Sequence, residues 1–201
     1  MEYDGGHAEW NEALEAVVKK EGEESESLFW LHHKASTWSR RCNDYIQIPT
    51  IILATTTGFL SATADTIPPV AVGALSVVVG VLGTINSYFK FSQRSEGHRI
   101  ASLLYLKTYK TIETQLSLPI SQRVAAEIFL KQLRSEMERV SETAPDIPDG
   151  VIGLFRQRFK EPAINVPIIA NGLDPITIYK EPLKTPVSTP RERPKVTVVQ
   201  V

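Results

Sequence analysis

The side chains best suited to bind a metal ion are His32, His33, Cys42 and His98. Imidazole nitrogens and thiolate sulfurs are the donors that zinc prefers in its tetrahedral protein sites. The four residues match no ligand spacing of a known site, and adjacent histidines point away from each other on a helix. One cysteine is also too few for an internal disulfide or a cysteine-built zinc site. We therefore expect surface or interfacial histidines and no bound metal.

Carboxylates and nucleophiles are likewise not arranged for catalysis. Glu136, Glu138 and Glu142 are expected on a solvated helix face and do not form an acid–base pair. The sequence contains no Gly-rich phosphate loop, no nucleophile elbow and no zinc-protease motif. These observations favour a protein that is not an enzyme and that needs no cofactor.

The charge balance excludes a broad affinity for nucleic acid. The chain of 201 residues has 22 Lys and Arg against 23 Asp and Glu, a formal net charge of −1. Nucleic-acid-binding proteins usually carry a basic excess, so we expect no nucleic-acid partner. The acidic start of the chain, Met1–Asp4, lacks the basic and apolar regions of a cleavable signal peptide.

The middle of the chain carries almost no charge. Between Tyr45 and Phe89 the only formal charge is Asp65, which precedes a Thr-Ile-Pro-Pro turn sequence. The apolar stretches on either side of it each run for about 20 residues, the length that a helix needs to cross a bilayer core. Two such helices joined by a short polar turn predict a transmembrane hairpin, and the lipid bilayer is then a partner of the chain.

The flanks of this hairpin indicate its orientation. Cations precede the first stretch and follow the second, whereas the turn has none, so the positive-inside rule places both termini in the cytosol. Aromatic rings favour the headgroup region. The predicted interface anchors are Trp38, Arg40, Arg41, Tyr45, Tyr88 and Lys90.

Small residues recur at intervals of four within both stretches. Such spacing lets helix backbones approach closely in lipid, either within one chain or between copies in a homo-oligomer. The predicted helix-packing residues are Ala54, Gly58, Ala62, Gly73, Ser76, Gly80 and Gly83.

Hydroxyl and amide groups in the same stretches raise the alternative of a pore. A ring of hairpins could direct them toward a water-filled lumen, although hydroxyls also bond to carbonyls of their own helix. The residues concerned are Thr55, Thr56, Thr57, Ser61, Ser76, Thr84 and Asn86.

The remaining sequence is mainly helical up to residue 161. Apolar periodicity predicts helices at 7–21, 28–44, 92–118, 120–142 and 149–160, with Gly22 and the following acidic residues breaking the first pattern. The expected fold is therefore mainly α. It divides into N-terminal amphipathic and juxtamembrane helices (1–44), the hairpin (45–90), a helical cytosolic-side platform (91–161) and a tail (162–201).

The tail is rich in proline. Proline disfavours helix and favours an extended chain, and the alternating valines near the C-terminus could add a strand to a partner's sheet. The predicted partner-binding residues are Pro182, Pro186, Pro190, Pro194, Val196 and Val198.

Several short patterns between residues 28 and 160 resemble a known family. They are Tyr45-x-x-x-Pro49-Thr50-Ile51-Ile52-Leu53, Leu82-Gly83-Thr84-Ile85, Phe89-Lys90-Phe91-Ser92, Ser95-Glu96-Gly97-His98-Arg99 with Ala101, Ile112-Glu113-x-x-Leu116-x-Leu118-Pro119, and Pro145-Asp146-Ile147-Pro148. Together they resemble the SLATT family, whose members have two membrane helices and a helical cytosolic extension.

The resemblance implies two roles. Bacterial members of that family occur beside nucleotide-signalling systems and are proposed to perturb membranes. Stand-alone copies occur in large eukaryotic DNA viruses, whose capsids enclose a membrane. This sequence has no recognisable nucleotide sensor and adds the proline-rich tail, which favours a structural use.

The leading hypothesis is a non-enzymatic integral membrane anchor or scaffold that links a bilayer to a protein assembly. In a large icosahedral DNA virus it would be a minor capsid or inner-membrane virion protein, with capsid proteins as partners. The first alternative is a pore-forming or membrane-perturbing effector of the SLATT type. The second is a soluble helical interaction protein.

Overall fold

A computed structural model of the protein describes residues 9–62, 68–160 and 165–171, together with Ile176 and Ile178. The described residues are mainly helical and contain no strand. The predicted mainly α class is therefore confirmed for them. The turn between the two apolar stretches, including Asp65, and nearly all of the proline-rich tail lie outside the described residues.

Helix α1 spans Glu12–Ala62, 51 residues without interruption. The predicted break at Gly22, and the separate helix starts near residues 28 and 48, are therefore wrong. The predicted division at residue 44 also falls inside this helix. At about 1.5 Å per residue, α1 is roughly 76 Å long, so one helix joins the polar N-terminal part of the chain to its first apolar stretch.

Gly22 does not end the helix because it serves a helix contact. A Cβ at this position would lie 3.0 Å from Cγ2 of Ile112, so the absence of a side chain lets the two backbones come close. Charges after the glycine are compatible with helix, since Lys19 and Glu23 pair at a spacing of four with Nζ and Oε1 3.6 Å apart. Packing therefore outweighs the low helix propensity of glycine.

Two further helices follow in the opposite direction. Helix α2 spans Pro69–Phe89 and α3 spans Phe91–Ser117, close to the predicted bounds. Only Lys90 separates them, in the left-handed conformation with φ of 50°. Its N–H donates to Asn86 O, and its carbonyl accepts from the Arg94 N–H, both at 3.0 Å. The hydrogen-bond ladder thus nearly continues from α2 into α3.

Helix α1 packs antiparallel along α2 and α3. Buried and half-buried residues of α1 recur at alternating steps of four and three, the 3.5-residue period of a left-handed coiled coil. We call this row the α1 seam: Val18, Gly22, Ser25, Phe29, His32, Ser36, Ser39, Asn43, Ile46, Thr50, Leu53, Thr57 and Leu60. The matching row on α3 is Phe91, Ser95, His98, Ser102, Tyr105, Tyr109, Ile112 and Leu116.

Two shorter helices cover the polar half of this pair. Helix α4, Ala126–Thr143, packs Phe129 and Leu133 against Val18 and Ile112. It follows a 3-10 turn at Ile120–Gln122, so the helix predicted at 120–142 begins later than expected. Helix α5, Asp149–Arg158, packs on the Leu31 and Ala35 side of α1.

A four-residue helix, α6, spans Ile168–Asn171 within the region predicted to be an extended tail. The prediction that proline excludes helix there is wrong for these residues. The helix forms because Ala170 is buried in the α5 cluster, and its carbonyl accepts a bond of 2.8 Å from Arg156 Nε.

The contact between α3 and the segment before α5 generates a prediction at Gly97. A Cβ on Gly97 would lie 2.8 Å from Cγ of Pro145, inside van der Waals distance. We expect Gly97→Leu to lower the free energy of unfolding by about 1–3 kcal/mol, the usual cost of overpacking. Thermal unfolding in detergent, followed by helical circular dichroism, measures this change.

The matched control is Gly153→Leu on α5. A Cβ there meets no atom within 4 Å, so the higher helix propensity of leucine should stabilise by a few tenths of a kcal/mol. Equal effects of the two substitutions would show that the Gly97 contact does not constrain the fold.

Candidate functional site

The structure contains two helices that are long and apolar enough to cross a membrane, the C-terminal part of α1 and α2. In their most apolar stretches, 6% of the α1 residues and none of the α2 residues are buried. Large apolar side chains point outward, with exposed fractions of 69% for Phe59, 82% for Val70 and 66% for Val77. Within the described residues, these two helices are therefore not enclosed by the rest of the chain.

A row of branched side chains on α2 faces α1. Five half-buried residues of α2 follow the same steps of three and four as the α1 seam: Val72, Leu75, Val79, Leu82 and Asn86. Gly83 is half-buried next to Leu82. Asn86 Nδ2 donates a bond of 2.8 Å to Gln47 Oε1. This polar contact fixes the register of the two apolar helices at the end that adjoins α3.

The predicted helix-packing glycines do not form this contact. A Cβ added to Gly58, Gly73, Gly80 or Gly83 would meet no atom within 4 Å. The other predicted members, Ala54, Ala62 and Ser76, are exposed. Apart from half-buried Gly83, these small residues therefore lie on surface that the described chain leaves uncovered.

The hydroxyl groups considered for a pore donate within their own helices. Each bonds to the carbonyl four residues earlier, at 2.7–3.0 Å: Thr55 to Ile51, Thr56 to Ile52, Thr57 to Leu53, Ser61 to Thr57, Ser76 to Val72 and Thr84 to Gly80. Their donor protons are thus satisfied without water in a lumen.

The predicted interface anchors are all exposed around one level of the molecule. This set comprises Trp38, Arg40, Arg41, Tyr45, Tyr88 and Lys90. The bond between Gln47 and Asn86 places Tyr45 and Tyr88 at the same height in the antiparallel pair. Trp38 lies edge-on to Phe91, with ring centroids 6.4 Å apart, so aromatic rings and cations gather where the apolar helices end.

Two histidines lie in the core of the α1–α3 contact. His32 and His98 are 2% and 1% exposed, and their Nδ1 atoms are 2.9 Å apart. The expectation of surface or interfacial histidines is wrong for this pair, although it holds for exposed His33. Burial follows from the seam, because both residues fall on its repeat. One ring must donate and the other must accept, so two neutral rings with different tautomers satisfy the contact.

The pKa of His32 is lowered to about 4, mainly by burial and to a lesser extent by the neighbouring His98. The pKa of His98 is also lowered, first by burial and then by Arg94, while Asp146 acts in the opposite direction. Tyr105 stacks on His32 with ring centroids 5.5 Å apart, and burial raises the pKa of its phenol. The surroundings therefore favour neutral histidines.

A cavity between α1 and α5 was not predicted from the sequence. Its volume is about 370 Å³, and it is lined by Lys34, Thr37, Trp38, Arg41, Pro148, Gly150, Val151 and Leu154. The signal on α1 is a cation, a tryptophan and a second cation at intervals of four and three, which places them on one helix face. The α5 half of the cavity depends on tertiary packing.

Among the described residues, no group of three or more His, Cys, Asp or Glu side chains is arranged to hold a metal ion. Cys42 is a half-buried free thiol. The predicted partner-binding residues of the tail, Pro182, Pro186, Pro190, Pro194, Val196 and Val198, lie outside the described residues.

Comparison of the chain with protein-family models, curated proteins and solved structures found no match. The SLATT resemblance drawn from the short patterns stays a hypothesis.

The histidine pair predicts loss of stability in mild acid. Because the pKa of His32 is lower in the folded chain than its ordinary value of 6.5, protonation favours the unfolded state. The stability that neutral His32 contributes to the folded chain is complete above pH 6.5 and is lost as the pH falls toward 4. We expect the free energy of unfolding to fall by about 2 kcal/mol from pH 7.5 to pH 5. Denaturant titration in detergent measures this change.

His32→Gln should remove the part of this pH dependence that His32 contributes, whereas the part that comes from buried His98 should remain. The control is His33→Gln, which removes an exposed ring one residue away. An unchanged slope in His32→Gln, or a flattened slope in His33→Gln, would contradict the assignment.

Proposed function

We propose that this chain is a non-enzymatic integral membrane anchor that attaches a protein assembly to a bilayer. In this proposal, residues 45–62 and 69–89 form a transmembrane hairpin with both termini on the cytosolic side. The polar halves of α1 and α3, with α4 and α5, form a platform outside the lipid. The tail from residue 162 onward binds a partner.

The single observation that carries the proposal is the outward-facing apolar surface of the two uncharged helices. Val70, Val77 and Phe59 expose most of their side chains, and burying such a side chain is worth about 1.5–3 kcal/mol. Many such residues on adjacent helices require an apolar surrounding. Lipid provides it without any further protein.

Dimensions and charges are consistent with a bilayer. Helix α2 has 21 residues, about 31 Å at 1.5 Å per residue, against a hydrocarbon core of about 30 Å. Arg40 and Arg41 precede the first apolar stretch, and Lys90 and Arg94 follow the second. The positive-inside rule supports a cytosolic platform.

The continuous helical connection between the lipid-facing part and the platform suits a scaffold. Helix α1 runs through both, with Pro49 inside it near the boundary. The partner that we propose is a protein shell on the cytosolic face. A viral capsid as that shell, and a virion location, derive from the SLATT resemblance alone.

One observation keeps a pore-forming homo-oligomer as a second candidate. The stripe around Gly73 and Gly80 is uncovered in the single chain, and small residues at this spacing support contacts between copies in lipid. The satisfied hydroxyl donors remove the main reason to place water inside such an assembly.

Substitution of Val77 by lysine separates a membrane protein from a soluble one. A lysine at the centre of a span costs about 2.5–3.5 kcal/mol of insertion free energy, so Val77→Lys should sharply reduce the fraction that resists carbonate extraction. The matched control is Val17→Lys, because Val17 is also exposed but lies on the polar half of α1. Release of the wild-type chain by carbonate, or no effect of Val77→Lys, would refute insertion.

Dye retention separates an anchor from a pore. Liposomes that contain the purified chain should keep an encapsulated dye, because an anchor encloses no water-filled path. If wild-type protein releases the dye and Gly80→Leu stops the release by blocking close helix approach, the chain forms a pore and the anchor proposal is refuted.

A further inference from the structure

We infer that the cavity between α1 and α5 binds the headgroup of an anionic phospholipid. This inference rests on the proposed membrane location, because that location brings the cavity to the cytosolic surface of the bilayer.

The charged side chains that line the cavity are both cations. Lys34 and Arg41 lie seven residues apart on one face of α1, with Trp38 between them. Neither cation forms an ion pair within the described ranges. Asp44 lines a separate depression on the other side of Arg41. Two cations without a carboxylate partner in the cavity favour an anionic ligand.

Helix α5 adds the positive end of a helix dipole. Its first turn, with Gly150 and Val151, lines the cavity near Trp38 and Arg41. Its C-terminal part lies away from the apolar helices, where Phe155 meets Trp30 with ring centroids 5.5 Å apart. The N-terminus of α5 therefore points toward the apolar half of the molecule.

Gly150 leaves room for a ligand in that first turn. A Cβ there would meet no atom within 4 Å, so the backbone is open to a phosphate group. Asp149 belongs to the same turn but does not line the cavity.

Apolar lining favours a lipid over a free phosphate ion. Leu154 and Trp38 are 46% and 47% exposed, and Pro148 and Val151 complete the apolar wall. A volume of about 370 Å³ falls within the range of small-molecule sites. The cavity can hold a phosphate-bearing headgroup beside the cations, with the apolar part of the lipid against Trp38 and Pro148.

The test uses the full chain in detergent micelles or nanodiscs and measures binding of dioctanoyl phosphatidylglycerol by titration calorimetry. Dioctanoyl phosphatidylcholine is the zwitterionic comparison, and inorganic phosphate tests for a free anion. We expect phosphatidylglycerol to bind more tightly than either. Lys34→Gln combined with Arg41→Gln should weaken it about 25-fold, since each juxtamembrane cation is worth about 1 kcal/mol.

A variant without charge change tests the cavity itself. Gly150→Leu should fill the space and cause a comparable loss of binding. Gly153→Leu is the control, because Gly153 lies on the same helix outside the cavity lining. Lys131→Gln combined with Arg134→Gln removes the same charge from exposed positions of α4 and should leave the affinity unchanged.

Three results would overturn the inference: equal binding of both lipids, tighter binding of inorganic phosphate, or equal losses in the cavity and control variants. Carbonate extraction of the same variants separates this outcome from failure of the proposed function. A chain that stays in the membrane but shows no lipid preference refutes the headgroup site alone. A chain that carbonate releases refutes the anchor.

Discussion

The structure depends on one antiparallel contact, that of α1 with α2 and α3. The α1 seam keeps its steps of four and three from Val18 to Leu60, while the outer surface changes from charged to apolar. The same 3.5-residue packing pattern therefore joins the helices in both the polar and the apolar half of the molecule. A single helix, α1, spans both halves of the molecule.

Many side chains inside this contact are small or polar, which is unusual for a 3.5-residue repeat. Ser36 and Ser95 exchange bonds with each other's carbonyls at 2.9 and 3.1 Å, close to the histidine pair and in line with the Gln47–Asn86 bond. Such polar contacts specify register at some cost in stability. A slip by one repeat would separate these partners and leave the buried His32 and His98 rings without their mutual hydrogen bond.

The features with functional meaning lie together where the apolar helices end. Exposed aromatic rings, cations and the cavity between α1 and α5 all lie there, next to Lys90 and its left-handed backbone. A lipid headgroup region is the environment that suits this combination of rings and cations. The anchor and the headgroup site that we propose thus draw on the same part of the molecule.

The helical class, the two uncharged stretches and the aromatic and cationic residues that flank them could all be predicted without the structure. These follow from composition and local periodicity, which need no partner to be visible. Helix packing in the folded chain revealed that Gly22 is a contact residue, that His32 and His98 meet in the core, and that Gly58, Gly73 and Gly80 face outward. It also placed α5 beside Lys34 and Arg41. Each of these depends on which face of one helix meets another, and the sequence of a single helix does not contain that choice.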